Sequence, residues 1–141
     1  MRVLVDTSAW ADFLNGYPSR ECSALRLLLQ EEHDLCTCGI VVSEVFLGLR
    51  KDESRGEIDA LFKELTFLEP SGLPLYIRAA EIYRLLRKKG KTIRSTIDCI
   101  IVAIAEENNC FVLARDRDIE TILSSGLVEA ALWNLEPPPT V

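Results

Sequence analysis

The sequence predicts an α/β domain in which a mostly parallel sheet is covered by helices on both faces. Three observations lead there. Short apolar runs that read as strands are separated by longer segments whose apolar residues recur at helical spacing. Strands joined through helices run parallel and need cover on both sides. Finally, 141 residues with 48% hydrophobic content suffice for one well-filled core and leave little room for a second.

The elements follow in order along the chain. Residues 2–5 form a short strand that ends at Asp6. Thr7 or Ser8 can cap a helix carrying Trp10, Phe13 and Leu14, which Gly16, Tyr17 and Pro18 break. Ser19 caps a second helix with Leu25, Leu28 and Leu29 on one face. Residues 35–37 form a brief strand, and Gly39 marks a turn. Residues 40–49 read as a helix, with Val41, Val45 and Gly48 at helical spacing and Glu44 embedded. A charged connection over 51–56 leads to a helix over 58–65, where Ile58, Leu61, Phe62 and Leu65 fall at i, i+3, i+4 and i+7. Residues 67–69 form a third strand.

Pro74 suits the first turn of the next helix and Gly90 its end; Ala79, Ile82, Tyr83 and Leu86 make its buried stripe. Ser95 or Thr96 starts a helix that runs to about Asn108. Residues 110–114 form the strongest strand, followed by a short helix over 119–123 and an edge strand over 131–133. The single domain covers 1–136. The Pro-rich tail, 137–141, cannot join a sheet.

Composition narrows the function classes. The net charge of −6 argues against a protein that merely coats nucleic acid, which is usually basic. It allows an enzyme that uses cations to bridge carboxylates to phosphate, or a protein with a basic partner. Five cysteines, an odd number with no CxxC pair and no Cys/His zinc spacing, read as buried thiols. No leader-like start and no membrane-spanning run is visible, so the expectation is a cytoplasmic protein.

Four acids stand where chemistry is to be expected. In parallel sheets, ligands sit beyond the carboxyl ends of the strands, where strand order switches. Asp6 ends the first strand and Asp116 follows the strand over 110–114. Helix capping and metal binding both account for Asp6, and capping is open for Asp116 too. Glu44 lies in a run whose only polar members are Ser43 and itself, which leaves a very narrow solvent face; a buried Glu needs a partner. Asp98 falls in the first turn of an apolar helix, where the helix dipole also favours an acid. Clustered carboxylates repel and raise one another's pKa, and a divalent ion relieves that conflict. Mg2+ or Mn2+ suits such oxygen donors and can activate water beside a phosphate, which a chain with one histidine could use for hydrolysis. That histidine, His33, reads as a surface residue.

Four pieces in this order resemble the PIN-domain nucleases, and within them the VapC-type toxins of toxin–antitoxin pairs. They are Val3-Leu4-Val5-Asp6-Thr7-Ser8, Ser43-Glu44-Val45, Thr96-Ile97-Asp98-Cys99-Ile100-Ile101-Val102-Ala103 and Val112-Leu113-Ala114-Arg115-Asp116-Arg117-Asp118. The resemblance spans residue 3 to about 123. It implies a three-layer α/β/α sandwich, a site binding Mg2+ or Mn2+, and endonuclease cleavage of RNA. By the motif match Asp6, Glu44, Asp98 and Asp116 take the metal-site roles, and Thr7 or Ser8 the hydroxyl that orders the site. Asp118 either contacts a second metal through water or caps the last helix. The resemblance also implies a homodimer and inhibition by a cognate antitoxin. Trp10, Phe13, Val45, Phe46 and Leu49 are candidates for antitoxin contact, with core packing as the competing role. Cys99 and Ala114 depart from the usual pattern without touching the chemistry.

Six of the sixteen basic residues crowd into 84–94. Two readings stand: a solvated helix end, or a patch that steers phosphate. On the second, Lys88, Lys89, Lys91 and Arg94 are RNA-binding candidates, with Arg115 beside Asp116. Other functions also fit parts of the pattern: an RNA-processing nuclease of the same fold without an antitoxin, or a non-catalytic RNA-binding module. An aspartate-nucleophile phosphatase would need a second Asp two residues after Asp6, where Ser8 stands.

Overall fold

The computed structural model describes residues 1–49 and 55–135. Most of the charged connection expected over 51–56, and the Pro-rich tail, lie outside them. Among the described residues, five strands make one all-parallel sheet: β1 (Arg2–Val5), β2 (Asp34–Cys38), β3 (Thr66–Leu68), β4 (Phe111–Leu113) and β5 (Ala131–Leu132). Seven helices among the described residues connect and cover them: α1 (Thr7–Asn15), α2 (Arg20–Gln30), α3 (Gly39–Leu47), α4 (Arg55–Lys63), α5 (Leu73–Lys88), α6 (Thr96–Glu107) and α7 (Arg117–Leu123).

Strand order is β3-β2-β1-β4-β5. The chain steps outward from β1 to β3, then crosses back to β4 on the other side of β1. Right-handed crossovers therefore put α1 to α4 on one face and α5 to α7 on the other. Helix packing agrees: α1 lies against α2 and α3, whereas α6 lies against α5 and α7. The result is the expected three-layer sandwich. None of its described helices is long and apolar enough to cross a membrane.

Burial explains why β1 reads as a run of apolar residues without alternation. A parallel strand covered on both faces needs apolar side chains on each, and Val3, Leu4 and Val5 are all fully enclosed. Trp10 is enclosed too, its ring 4.8 Å from Phe62 and 6.0 Å from Phe13, which ties α1 to α4. Across the sheet, Ile82 and Leu86 of α5 and Ile101 and Ile104 of α6 fill the second core layer. Truncating any one of them to Ala costs ~2–5 kcal/mol. All five cysteines are free and buried. The exception to a surface role for His33 is partial: its ring lies half-buried, edge-on to Trp133 at 5.5 Å.

Three element boundaries and the exposure of one helix face differ from expectation. Of the caps left open for α1, Asp6 is the one observed and Thr7 and Ser8 are not, because Asp6 is the last extended residue after β1 and its carboxylate accepts from the Ser8 N–H. Gly39 is the first residue of α3 rather than a turn, so β2 runs directly into the helix. Helix α3 has a broad solvent face: Val41 and Val45 are buried, but Ser43, Glu44 and Leu47 are exposed, Leu47 at 88%. The apolar sequence of α3 therefore does not report burial all round. Helix α7 begins at Arg117 because Asp116 caps it, accepting from the Asp118 and Ile119 N–H groups. Ser19 and Ser95 cap α2 and α6 as expected.

Candidate active site

The reversal of strand order lies between β1 and β4, where loops leaving the two strands diverge to opposite faces and open a crevice. Asp6 follows β1 directly. Asp116 follows β4 across Ala114 and Arg115. Two helix N-termini point to the same edge: α6 carries Asp98 in its first turn, and α7 carries Asp116 as cap and Asp118 in its first turn. Unsatisfied N–H groups and the helix dipole favour anions at both places.

Asp98, Asp116 and Asp118 each present a carboxylate oxygen, and these oxygens all lie within 4.8 Å of one another. Asp116 uses Oδ1 to accept from the N–H groups of Asp118 at 2.8 Å and Ile119 at 3.0 Å. Asp118 uses Oδ2 to accept from the backbone N–H of Arg94 at 3.2 Å and its Nε at 3.1 Å. Each keeps its other oxygen without a hydrogen-bond partner among the described residues. Asp118 is buried and does not cap α7, since Asp116 does. Its place in this trio makes it a more direct member of the cluster than its sequence position implied.

Asp6 sits beside the trio and is buried. Its Oδ2 accepts from the Ser8 N–H at 3.1 Å and from the Ser8 hydroxyl. Thr7 Oγ1 donates to Glu44 Oε1 at 3.2 Å, so each of the two hydroxyls holds one acid. Glu44 is exposed, reaching the edge from α3.

Electrostatics link all five acids. The Asp98 carboxyl is pushed up to about 7, first by burial and then by the charges of Asp116, Asp6, Asp118 and Glu44. Asp6 is also raised, mainly by burial, against the opposing Ser8 bonds. Like charges held this close call for a cation. An all-carboxylate donor set fits a hard divalent ion such as Mg2+ or Mn2+. The neighbouring Cys99 thiol is pushed up to about 11 by burial and by Asp98.

The basic candidates separate. Arg94 reaches the cluster through Asp118, with its own side chain 80% exposed. Lys89 instead approaches the Ser125 carbonyl, at 3.4 Å, beyond the C-terminal end of α7. Seven residues of helix put it roughly 10 Å from the Asp116 end. Lys88 and Lys91 are exposed. Arg115 is engaged elsewhere: its Nε and Nη2 donate to Asp12 at 2.6 and 2.8 Å, and its guanidinium lies 4.8 Å from the Tyr17 ring centre. Asp12 is a functional candidate that the motifs alone do not single out. The pattern that marks it is its place among Ala9, Trp10 and Phe13 in an apolar stripe, where an acid must be paired.

A parallel α/β domain with an acid cluster at its strand-order reversal has a donor set that could coordinate a divalent cation there. Residues 3–122 match the family model of the PIN domain, and the chain belongs to that family. It is homologous to VapC-type toxins of toxin–antitoxin systems. It is 31% identical over 130 residues to the VapC ribonuclease Mb1587 of Mycobacterium bovis, covering 92% of this chain and 97% of that one. The same figures hold for Ribonuclease VapC11 of Mycobacterium tuberculosis. Solved structures extend the likeness of fold. VapBC-1 from nontypeable Haemophilus influenzae superposes with a TM-score of 0.69 at 16% identity, over 96% of this chain and 98% of that one. VapBC2 from Rickettsia felis, bound to a DNA fragment from their promoter, gives 0.67 at 18% identity, over 95% and 100%.

Proposed function

We propose that this protein is a metal-dependent endoribonuclease, the toxin of a toxin–antitoxin pair, that hydrolyses RNA with Asp6, Glu44, Asp98 and Asp116 as its site and Asp118 beside them. The observation that carries the reading is the trio of carboxylate oxygens within 4.8 Å, in a chain whose relatives are named ribonucleases. Asp98 and Asp116 would hold Mg2+ or Mn2+, with Asp118 or Asp6 completing the donor set. The ion, when bound, supplies charge neutralisation at the phosphate and a water of lowered pKa. The chain's own residues set the stage. Ser8 fixes the Asp6 carboxylate, and the amides of α7 fix Asp116. Asp98, its carboxyl pushed up to about 7 by burial and the neighbouring acids, would serve as an anionic donor to a bound ion. Thr7 orients Glu44 toward the edge, where it can accept a proton from a reacting water.

RNA is the proposed substrate, and Arg94 is the basic residue best placed to meet its phosphates. Lys88, Lys89 and Lys91 would act at longer range, and Arg115 less, because Asp12 holds it. For the antitoxin we propose a groove of about 670 Å³ beside the site, between α1, α3 and α4, lined by Thr7, Phe13, Glu44, Leu49 and Leu61 among others. Phe13 and Leu49 remain as contacts. Trp10 is fully enclosed, and Phe46 packs on Phe62 at 5.6 Å, so both serve the core. Val45 is 95% enclosed although it borders the groove.

The test is cleavage of a mixed RNA pool by the purified protein. Cleavage that needs Mg2+ or Mn2+, stops with EDTA and returns on adding the ion supports the reading. RNA binding without cleavage under any divalent ion would point instead to a non-catalytic binding module.

A further inference from the structure

The turn that delivers Asp116 is tied to α1 from two directions. Its backbone is held where the Arg115 N–H donates to Ser8 Oγ at 3.0 Å, the same hydroxyl that donates to Asp6. Its side chain is held where the Arg115 fork meets both oxygens of Asp12, at 2.6 and 2.8 Å. Asp12 is only 4% exposed, and its Oδ2 also accepts from the Ser19 hydroxyl at 2.7 Å. Tyr17 lies under the guanidinium. A buried carboxylate of this kind is tolerated only while its partner stays in place, so the pair resists displacement of either end. Among the described residues no other side-chain ion pair joins α1 to the β4–α7 turn.

We propose that Asp12 and Arg115 are positioning residues: their bidentate pair latches the β4–α7 turn against α1 and so sets Asp116 at the distance from Asp6 and Asp98 that a bound cation requires. The inference rests on the metal-dependent reading above. Its logic is geometric. Asp116 spends one oxygen on the amides of its own helix, so its carboxylate moves with the N-terminus of α7 as a unit. The cap of that helix, Asp116, directly follows the latched Arg115. Asp6, in turn, begins α1. The latch therefore spans the crevice whose two walls carry the acids. Partners that orient metal-binding residues usually change metal affinity 10–100-fold when removed.

The test compares Asp12→Asn, Arg115→Lys and the double variant with the parent. Asn offers the fork one acceptor instead of two, and Lys keeps the charge but loses the fork. The readouts are Mn2+ affinity by calorimetry, hydrogen exchange of the Arg115, Asp118 and Ile119 amides in the metal-free proteins, RNA affinity in EDTA and thermal stability. The latch predicts Mn2+ affinity weakened by about tenfold or more in each single variant. It predicts a double variant no weaker than the worse single one, and faster exchange at the three amides. Arg78→Gln is the control. It breaks the pair of Arg78 with Glu106, away from the site, and should lower thermal stability while leaving Mn2+ affinity unchanged. Mn2+ affinity within twofold of the parent in both single variants overturns the proposal. So does a loss of RNA affinity, measured in EDTA, that appears with Arg115→Lys and not with Asp12→Asn, since Arg115 would then be a phosphate contact. A parent that binds no Mn2+ would defeat the metal reading; exchange alone would then decide the latch, with unchanged amides overturning it.

Discussion

Asp98 concentrates the charge conflict of the site. Burial and four neighbouring carboxylates raise it to about 7 from an ordinary value of 3.8. An acid raised in the folded state contributes stability that is fully present below its unfolded pKa and is lost as pH rises through the folded value. In metal-free protein, Asp98→Asn should therefore melt above the parent at pH 8, with the gap narrowing as pH falls from about 7 toward 4. Thermal melts in EDTA at several pH values measure this; a gap that is constant with pH would contradict it. Arg94 supplies the counter-charge that buried Asp118 has without a metal. Removing it in Arg94→Ala should make the protein depend more on an added cation, so the rise in melting temperature with Mn2+ should exceed the parent's. Equal rises would mean that Asp118 lies outside the cation's reach.

At the scale of elements, the strands and helices were legible because the sheet is buried on both faces and the helices on one. Runs such as Val3-Leu4-Val5 and stripes such as Ala79, Ile82 and Leu86 state that directly. Asp6, Asp98 and Asp116 were legible for a related reason: they interrupt apolar runs at strand ends and helix starts. Contacts between distant segments were not. Asp12 and Arg115 are 103 positions apart, and nothing local to either announces the other. Arg94 and Asp118 are 24 apart, so the sequence grouped Arg94 with its lysine neighbours instead of with the acid it meets. Helix α3 misled because its apolar face outruns the core beneath it. The end of α5 yields its own prediction. If RNA runs past Lys88, Lys89 and Lys91, changing all three to Gln should flatten the salt dependence of RNA binding. The log–log slope should fall by about 0.7 for each phosphate that is no longer neutralised. Cleavage at saturating RNA should change little, since Lys89 sits beyond the far end of α7. An unchanged slope would make this stretch a solvated helix end.

For the whole molecule, a net charge of −6 must be reconciled with the proposed RNA substrate. A cation at the acid edge and Arg94 at its rim would do so locally, and the net negative charge of the whole suits the proposed antitoxin partner if its contacting segment is basic. We expect Leu49→Glu to weaken antitoxin binding in the α1–α3–α4 groove while RNA cleavage by the free protein persists, as a pull-down with the purified antitoxin would show; undiminished binding would move the antitoxin elsewhere. We also expect a homodimer, the commonest symmetric assembly. Whether these carboxylates hold a divalent ion is read by titrating Mn2+ calorimetrically into the parent, Asp98→Asn and Asp116→Asn. The predicted result is saturable binding by the parent that strengthens as pH rises through 7, and binding weakened by more than about tenfold in each variant. Parent-like Mn2+ affinity in both variants, with the fold intact, would contradict the account.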